Sequence, residues 1–382
     1  MYRGITIRLY PTKDQVDQLW NQIGGCRFIW NYMLELQMKR HDQGEKYLKK
    51  FDMFKHITQL KKDTKTSWLS EIAVHSLQRV CADLDESYRK FFNHSGGHPD
   101  FKSKKRKKQS YPVPAERLYF KDGMVQISMI GKICYKADYD GIDFEALKVF
   151  NPRIVFDNEK WILVCAVETG CEIIPYTKGT IGIDLGIKNL AICSYSESDK
   201  PLIFENINKT KVVLKLQRKF KHLQRIVARK YEVGNRLHPS KKWQKTNAIK
   251  KYERMMARIC RHIANIRKDQ RCKMIHTLVG LAPSTIVIED LNVAVMKKNR
   301  HMARVVGEMG FFSIRQALKK KCEAKGIDLV IADRFFPSSK TCSNCGTIKK
   351  DLRLKDRTFI CPECGFEIDR DLNAAINLMN YV

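Results

Sequence analysis

Ile181-Gly182-Ile183-Asp184-Leu185-Gly186-Ile187-Lys188-Asn189-Leu190-Ala191-Ile192-Cys193-Ser194 is a run of branched apolar residues interrupted by one acid and a glycine-flanked turn. It predicts a strand, a tight turn and a second strand. A strand apolar on both sides is one covered on both sides. A lone carboxylate there costs several kcal/mol unless a cation meets it, and a divalent metal suits the position.

Two later stretches repeat the pattern. Ser284-Thr285-Ile286-Val287-Ile288-Glu289-Asp290-Leu291-Asn292 delivers Glu289 at the end of a short apolar run, and Ile368-Asp369-Arg370-Asp371-Leu372-Asn373-Ala374-Ala375 sets acids at the start of an alanine-rich helical run. Carboxylates from three separate segments can gather two Mg²⁺ ions about 4 Å apart, the arrangement that activates water and stabilises the leaving oxygen in phosphodiester cleavage.

Cysteine spacing gives a second signal. Cys342-x-x-Cys345 and Cys361-x-x-Cys364, each pair followed by glycine (Gly346, Gly365), read as two knuckles that close four thiolates around one structural Zn²⁺. A ribbon this small has almost no core, so metal binding is largely its folding energy. With four cysteines bound the metal has no open position, which excludes catalysis by this ion.

Charge narrows the partners. The 382 residues carry 71 Lys plus Arg against 41 Asp plus Glu, a formal net charge of +30, and such an excess calls for a polyanion. The length allows two or three domains. No apolar run approaches a membrane span and no signal-peptide pattern opens the chain. Thirteen cysteines, four in one module and the rest scattered, suit a reducing cytoplasm. Residues 208–279 hold 22 Lys or Arg and three acids, Glu232, Glu253 and Asp269. Their apolar residues recur at helical spacing, Leu216, Phe220, Leu223 and Val227, then Ile249, Tyr252, Met256, Ile259, Ile263 and Ile266. Two helices result, reversing near Val233-Gly234-Asn235 and His238-Pro239, with cations such as Arg218, Arg225, Arg254, Arg258 and Arg261 left for a nucleic-acid duplex. A second basic run, Lys102, Lys104, Lys105, Arg106, Lys107 and Lys108, lies between Phe101 and Tyr111, where rings can stack on bases.

The remaining elements follow in order. Residues 2–10 alternate as a strand, Thr12 caps a helix, and another helix is expected over residues 27–39. Helical spacing returns from Ile72 to Tyr88. Residues 113–167 read as short strands through Val125, Ile127 and Met129, Ile133 and Tyr135, Val149, Ile154 to Phe156, and Trp161 to Val167. This predicts a small antiparallel barrel with helices inserted after its first strand. Residues 169–175 read as a link, 301–310 as a mobile loop, 312–325 as a helix ended by Gly326, and 327–332 as a strand.

Asp184 in GIDLG, Glu289 in IVIED and Asp371 in DRDLNAA resemble the three motifs of RuvC-type, RNase H-like nucleases. With the cysteine module just before DRDLNAA, the chain from residue 2 to its last helix resembles the TnpB family, transposon-encoded RNA-guided DNA nucleases related to type V CRISPR effectors. That resemblance implies an α+β multidomain chain: a β-barrel (wedge) domain from residues 1–11 plus 110–172, a helical recognition lobe over 12–109, a RuvC-like α/β domain from 173–335 plus 367–382 carrying the basic hairpin, and a zinc ribbon over 336–366. It implies guide RNA and double-stranded target DNA as partners. Asp184, Glu289 and Asp371 become the catalytic Mg²⁺ ligands, with Asp369 as alternative third acid. Two other readings stay open, a guided DNA-binding repressor without cleavage and a strand-joining transposase built on the same core. A monomer is the expected state.

Overall fold

The alternation at the amino terminus folds as expected in the computed structural model, which describes residues 2–105, 108–137, 143–168, 179–239, 243–353 and 356–382. In β1 (Tyr2–Tyr10), Ile5, Ile7 and Leu9 are buried and Thr6 and Tyr10 exposed. Three helices follow, α1 (Lys13–Asp42), α2 (Lys50–Lys62) and α3 (Val74–Phe92), and then β2 (Lys108–Pro112), β3 (Leu118–Lys121), β4 (Met124–Ile127), β5 (Gly131–Lys136), β6 (Val149–Asp157) and β7 (Lys160–Glu168). β1 lies inside their sheet, whose order is β2-β6-β7-β1-β5-β4-β3 with antiparallel pairings throughout. The helices are therefore an insertion between the first and second strands. These elements make up one of two compact units, residues 1–170.

The closed barrel expected from the sequence does not form. β2 and β3 stand at opposite edges and do not pair with each other among the described residues. Pro112 ends β2 and Pro114 follows, and neither has an N–H for a closing partner. Met129, expected in a strand, sits in a turn with φ +67°.

The expected pair of helices over residues 12–39 is one helix of 30 residues. Thr12 and Gln15 cap it reciprocally, the Gln15 N–H donating to Thr12 Oγ1 at 3.4 Å and the Thr12 N–H to Gln15 Oε1 at 3.0 Å. Gly24-Gly25 does not break it. A Cβ on Gly25 would lie 2.6 Å from Ile72 Cγ1, so this glycine marks a close approach to the segment before α3. Leu19, Ile23, Ile29, Met33 and Leu34 join Leu77, Val80 and Leu84 of α3 in one core with Ile127, Ile133, Ile154 and Leu163 of the sheet. Helix α2, which the sequence reading passed over, buries Met53, Ile57 and Leu60.

The second unit, residues 171–382, opens with the quoted stretch: β8 (Thr180–Leu185) and β9 (Asn189–Tyr195) are the predicted antiparallel pair, followed by β10 (Ser198–Glu205). The basic hairpin is α4 (Lys211–Leu237) and α5 (Asn247–Gly280), and its predicted apolar stripes meet, with Leu223, Ile259 and Ile263 buried. α4 runs on through Val233-Gly234-Asn235, because Gly234 is where Trp243 packs: a Cβ would lie 2.1 Å from the indole. Then come β11 (Thr285–Glu289), α6 (Val293–Lys298), α7 (Ala303–Met309), α8 (Phe311–Lys325), β12 (Asp328–Ala332), β13 (Thr358–Ile360), β14 (Glu367–Asp369) and α9 (Arg370–Met379). The expected loop at 301–310 is largely helix α7, which buries Val306 and Met309. β10-β9-β8-β11-β12 form a mixed sheet in which β11 runs parallel to both β8 and β12. The chain is thus α+β, with one antiparallel sheet, one mixed sheet and a small two-stranded ribbon. Among the described residues no helix is long and apolar enough to cross a membrane. The expected link at 169–175 lies outside the described residues.

The two adjacent glycines of α1 give opposite predictions. Nothing lies within 4 Å of a Cβ on Gly24, so Gly24→Ala stabilises by about 0.5–1 kcal/mol through lower chain entropy. Gly25→Ala must displace the buried Ile72 and destabilises by about 1–3 kcal/mol. Urea unfolding of the two variants, read as midpoint shifts of opposite sign, checks this.

Candidate functional site

Asp184 is the penultimate residue of β8, Glu289 ends the neighbouring parallel strand β11, and Asp371 lies in the first turn of α9. Two neighbouring parallel strands end in acids side by side, and the helix that returns over them adds the third. What lets α9 come so close is Gly182: a Cβ there would lie 2.2 Å from the Ala375 carbonyl oxygen and 2.3 Å from the Met379 nitrogen. Only a bare backbone fits under this helix.

The Leu185 N–H donates to Glu289 Oε1 at 3.3 Å, tying the two strand ends together. Burial, then the charges of Glu289 and Asp371, push the Asp184 carboxyl well above its usual value, while Arg370 pulls it down. Burial, with the Asp371 charge, lifts Glu289 to about 7 against the opposing hydrogen bonds from Leu185 and Asp184. Crowded carboxylates of this kind hold protons until a cation replaces them. Arg370 donates to Asp371 Oδ1 from Nη2 at 2.9 Å and from Nε at 3.2 Å. Asp369 is the exposed N-cap of α9, where its Oδ1 accepts from the Asp371 and Leu372 N–H groups at 2.9 and 3.1 Å. That local bonding commits Asp369 to the helix end, whereas Asp371 is the one coupled to Asp184.

A tighter cluster lies in the ribbon. The sulfurs of Cys342, Cys345, Cys361 and Cys364 all fall within 4.8 Å of one another, the one such group of three or more metal-binding side chains among the described residues. The Cys342–Cys364 and Cys345–Cys361 separations are 3.8 and 3.5 Å. Around a Zn²⁺ with bonds of about 2.3 Å the tetrahedral edge is about 3.8 Å. The three carboxylates are more loosely grouped than this. Both knuckles close as the spacing demands: the Gly346 and Gly365 N–H groups donate to the Cys342 and Cys361 carbonyls at 2.9 and 3.1 Å, with φ +78° and +70°. Hydrogen bonds from Thr347 lower the Cys345 thiol to about 6 and one from Asn344 lowers Cys364, whereas burial pushes the Cys342 thiol up to about 11.

Two buried residues missed in the sequence reading join ribbon and acids. Asn373 Nδ2 donates to the Thr341 carbonyl at 2.7 Å while its Oδ1 accepts from the Ser343 N–H at 3.0 Å, and Asn377 Nδ2 donates to Ser338 and Thr341 at 2.7 Å each. The helix that presents Asp371 thus also holds the first knuckle. The available signal was two asparagines at i, i+4 on an alanine-rich face.

The basic positions divide. Lys104, Lys105 and Lys108 are exposed, as are Arg218, Arg225, Arg254 and Arg258, with Arg261 half-buried. Lys102 is partly covered, its ammonium 3.6 Å from the centre of the Trp30 ring and its backbone bound to Asn31. Tyr111 does not offer a stacking face: it is 1% exposed, because its side of β2 faces the core. Arg106 and Lys107 lie outside the described residues.

The seat of α9 is testable. Gly182→Ala lifts the helix off β8 and lowers unfolding stability by about 1–3 kcal/mol. A metal held by the four thiolates would be released by Cys361→Ser or by chelation, loosening α9 through Asn373 and Asn377, so that proteolysis begins within 336–382 while residues 1–170 persist. Limited digestion followed by mass spectrometry checks both.

Family profiles match residues 1–46 as a helix-turn-helix domain, 167–300 as a probable transposase and 311–378 as a Cas12f1-like TNB domain. The described part of residues 1–46 is one strand and one continuous helix with its trailing turn, not two helices. The chain is 28% identical over 385 residues to a Streptomyces pristinaespiralis protein named "Putative RNA-guided DNA endonuclease", covering 99% of this chain and 88% of the relative. It is 26% identical over 398 residues to the similarly named InsQ of Escherichia coli K12, covering 99% and 91%, and 24% identical to the TnpB-like protein L770 of Acanthamoeba polyphaga mimivirus, covering 98% and 72%. Its fold is that of the protein in the Cas12f1–sgRNA–target DNA complex, with TM-score 0.55 and 12% identity over 100% of this chain and 99% of that one. Over nearly its whole length the chain is thus similar to TnpB-like proteins and to proteins named as RNA-guided DNA endonucleases.

Proposed function

We propose that this protein is an RNA-guided DNA endonuclease whose cleavage site is built by Asp184, Glu289 and Asp371. The observation that carries the reading is the convergence of these three acids, from separate segments, strongly enough to raise the Asp184 carboxyl. The end-to-end similarity to relatives named as RNA-guided DNA endonucleases supports it. In this reading the mixed sheet is an RNase H-like (RuvC-type) core spanning 173–335 plus 367–382, and 336–366 is a ribbon closed by one structural Zn²⁺. Residues 1–11 plus 110–172 are a wedge domain and 12–109 a recognition lobe. The protein works as a cytoplasmic monomer.

The donor set fits Mg²⁺: hard oxygen ligands, two of which, Asp184 and Glu289, are pushed toward protonation unless a cation meets them. Mg²⁺ bound there supplies Lewis-acid stabilisation of the phosphodiester oxygens and lowers the pKa of attacking water. The protein's own part is positional. The Leu185 N–H fixes the Glu289 carboxylate, Arg370 orients Asp371, and the Gly182 contact sets the distance of α9 from both. Guide RNA pairs with one target strand, so base pairing selects sequence, while the exposed arginines of α4 and α5 hold phosphates without reading bases.

The match of 167–300 to a probable transposase favours one competing reading, strand joining on the same core. Purification from cells that express the chain with its native flanking DNA distinguishes them. Co-purifying RNA and Mg²⁺-dependent double-strand breaks support guided cleavage; strand-joined products support transposition, and guided occupancy without cutting supports a repressor. Asp184→Ala, Glu289→Ala and Asp371→Ala lower cutting below about 1% of wild type while RNA and DNA binding stay within about threefold. Asp369→Ala loses the α9 cap, about 1 kcal/mol of stability, and keeps cutting within a few-fold. Equal loss in the Asp369 and Asp371 variants contradicts the assignment.

A further inference from the structure

Glu289 lines two open cavities, of about 250 and 190 Å³. The next residue, Asp290, holds two arginines. Its Oδ1 accepts from Arg315 Nη1 of α8 at 2.6 Å, and its Oδ2 accepts from Arg334, just beyond β12, through Nε at 3.0 Å and through Nη2. A guanidinium has five N–H donors, so both arginines keep donors beyond those given to Asp290. Two guanidiniums on one carboxylate also leave a net positive charge. Arg334 lines both cavities and Arg315 the smaller, and they are 50% and 36% exposed.

Two exposed aromatic residues lie close in sequence to this pair. Phe312 lines the smaller cavity and is 63% exposed; Phe335, between the cavity-lining Arg334 and Phe336, is 86% exposed. One exposed ring is ordinary. One exposed ring lining the smaller cavity, a second next in sequence to Arg334, and paired guanidiniums beside an acidic cluster together answer a specific electrostatic problem. Three carboxylates repel the phosphodiester that must reach them, and a positive pair next to Glu289 offsets that repulsion at short range. Rings can grip bases only when the bases are unstacked, which selects an unpaired strand over a duplex.

We propose that Arg315, Arg334, Phe312 and Phe335 form a clamp for one unpaired DNA strand entering beside Glu289, with guanidiniums on phosphates and rings on bases. Asp290 is the positioning residue that holds the two guanidiniums as a unit. The assignment rests on the nuclease reading of the neighbouring acids.

The test uses the full chain purified with its RNA and target duplexes in which single phosphates are replaced, one at a time, by neutral methylphosphonates. At the clamped phosphate the neutral linkage slows wild-type cutting about tenfold, Arg334→Ala on native DNA slows it about as much, and the combination is no slower than either alone. Multiplied effects at every position overturn the phosphate contact, since a merely structural arginine has no coupling to one phosphate. A second readout does not need cutting. 2-Aminopurine placed along the displaced strand is quenched on binding to wild type at one or two positions, and Phe335→Ala or Phe312→Ala removes that quenching while guide and target affinities hold. Absence of such a position overturns the stacking contact. A wild-type complex that quenches yet never cuts overturns the nuclease reading and leaves the strand clamp standing.

Discussion

The second unit depends on a backbone-to-backbone contact under α9. Gly182 lies two residues before Asp184, and the place where its Cβ would stand is filled by the backbone of Ala375 and Met379. Interiors are close-packed and cannot absorb an added methyl where backbone already fills the space. The contact therefore fixes how far Asp371 can sit from Asp184 and, through the parallel β8–β11 pairing, from Glu289. The same helix carries Asn373 and Asn377, whose amides satisfy carbonyls of the cysteine ribbon. One short helix thus connects a sheet, an acidic cluster and a four-cysteine ribbon, so the order of the ribbon bears on the acids.

Electrostatics gives the arrangement its direction. Asp184 and Glu289 lie where desolvation and neighbouring negative charge raise their protonation, an unfavourable state that a divalent cation relieves. Around them the chain is strongly positive, and its helical hairpin carries cations on faces that its apolar stripes leave outside. A negative pocket within a positive protein attracts both components of metal-dependent phosphodiester chemistry, the backbone by long-range attraction and the metal by local ligands. Asp290 shows the balance at close range: its two arginines depress its carboxyl, the reverse of the shift on Glu289 one residue earlier.

What could be read from sequence was whatever a local pattern determines. Alternation gave β1, a branched apolar run around a glycine-flanked turn gave β8 and β9, helical spacing gave the hairpin stripes, and cysteine spacing gave the two knuckles, because each follows from a local pattern. The errors arose where a distant partner decides. The division of residues 12–39 into two helices fails because Gly25 sits inside one helix where Ile72 approaches, and Val233-Gly234-Asn235 reads as a reversal until Trp243 packs on Gly234. Tyr111 beside a lysine run reads as a stacking platform, yet strand alternation turns it into the core. Closure of the first sheet could not be inferred because it depends on whether two edges meet. Pro112 and Pro114 were visible, but their place at an edge was not. The capping hydrogen bonds that distinguish Asp369 from Asp371 could not be read from the sequence, and the Arg315–Asp290–Arg334 bridge joins residues too far apart in sequence for any periodicity to reveal.

The central claim is that Asp184, Glu289 and Asp371 share divalent metal beside the bound strand. The most direct measurement is anomalous scattering from Mn²⁺ soaked into crystals of the protein bound to its RNA and DNA. The account predicts manganese peaks within about 2.2 Å of carboxylate oxygens from all three residues, separate from a zinc peak among Cys342, Cys345, Cys361 and Cys364. Manganese absent from that cluster, with Asp371 still paired to Arg370, would contradict it.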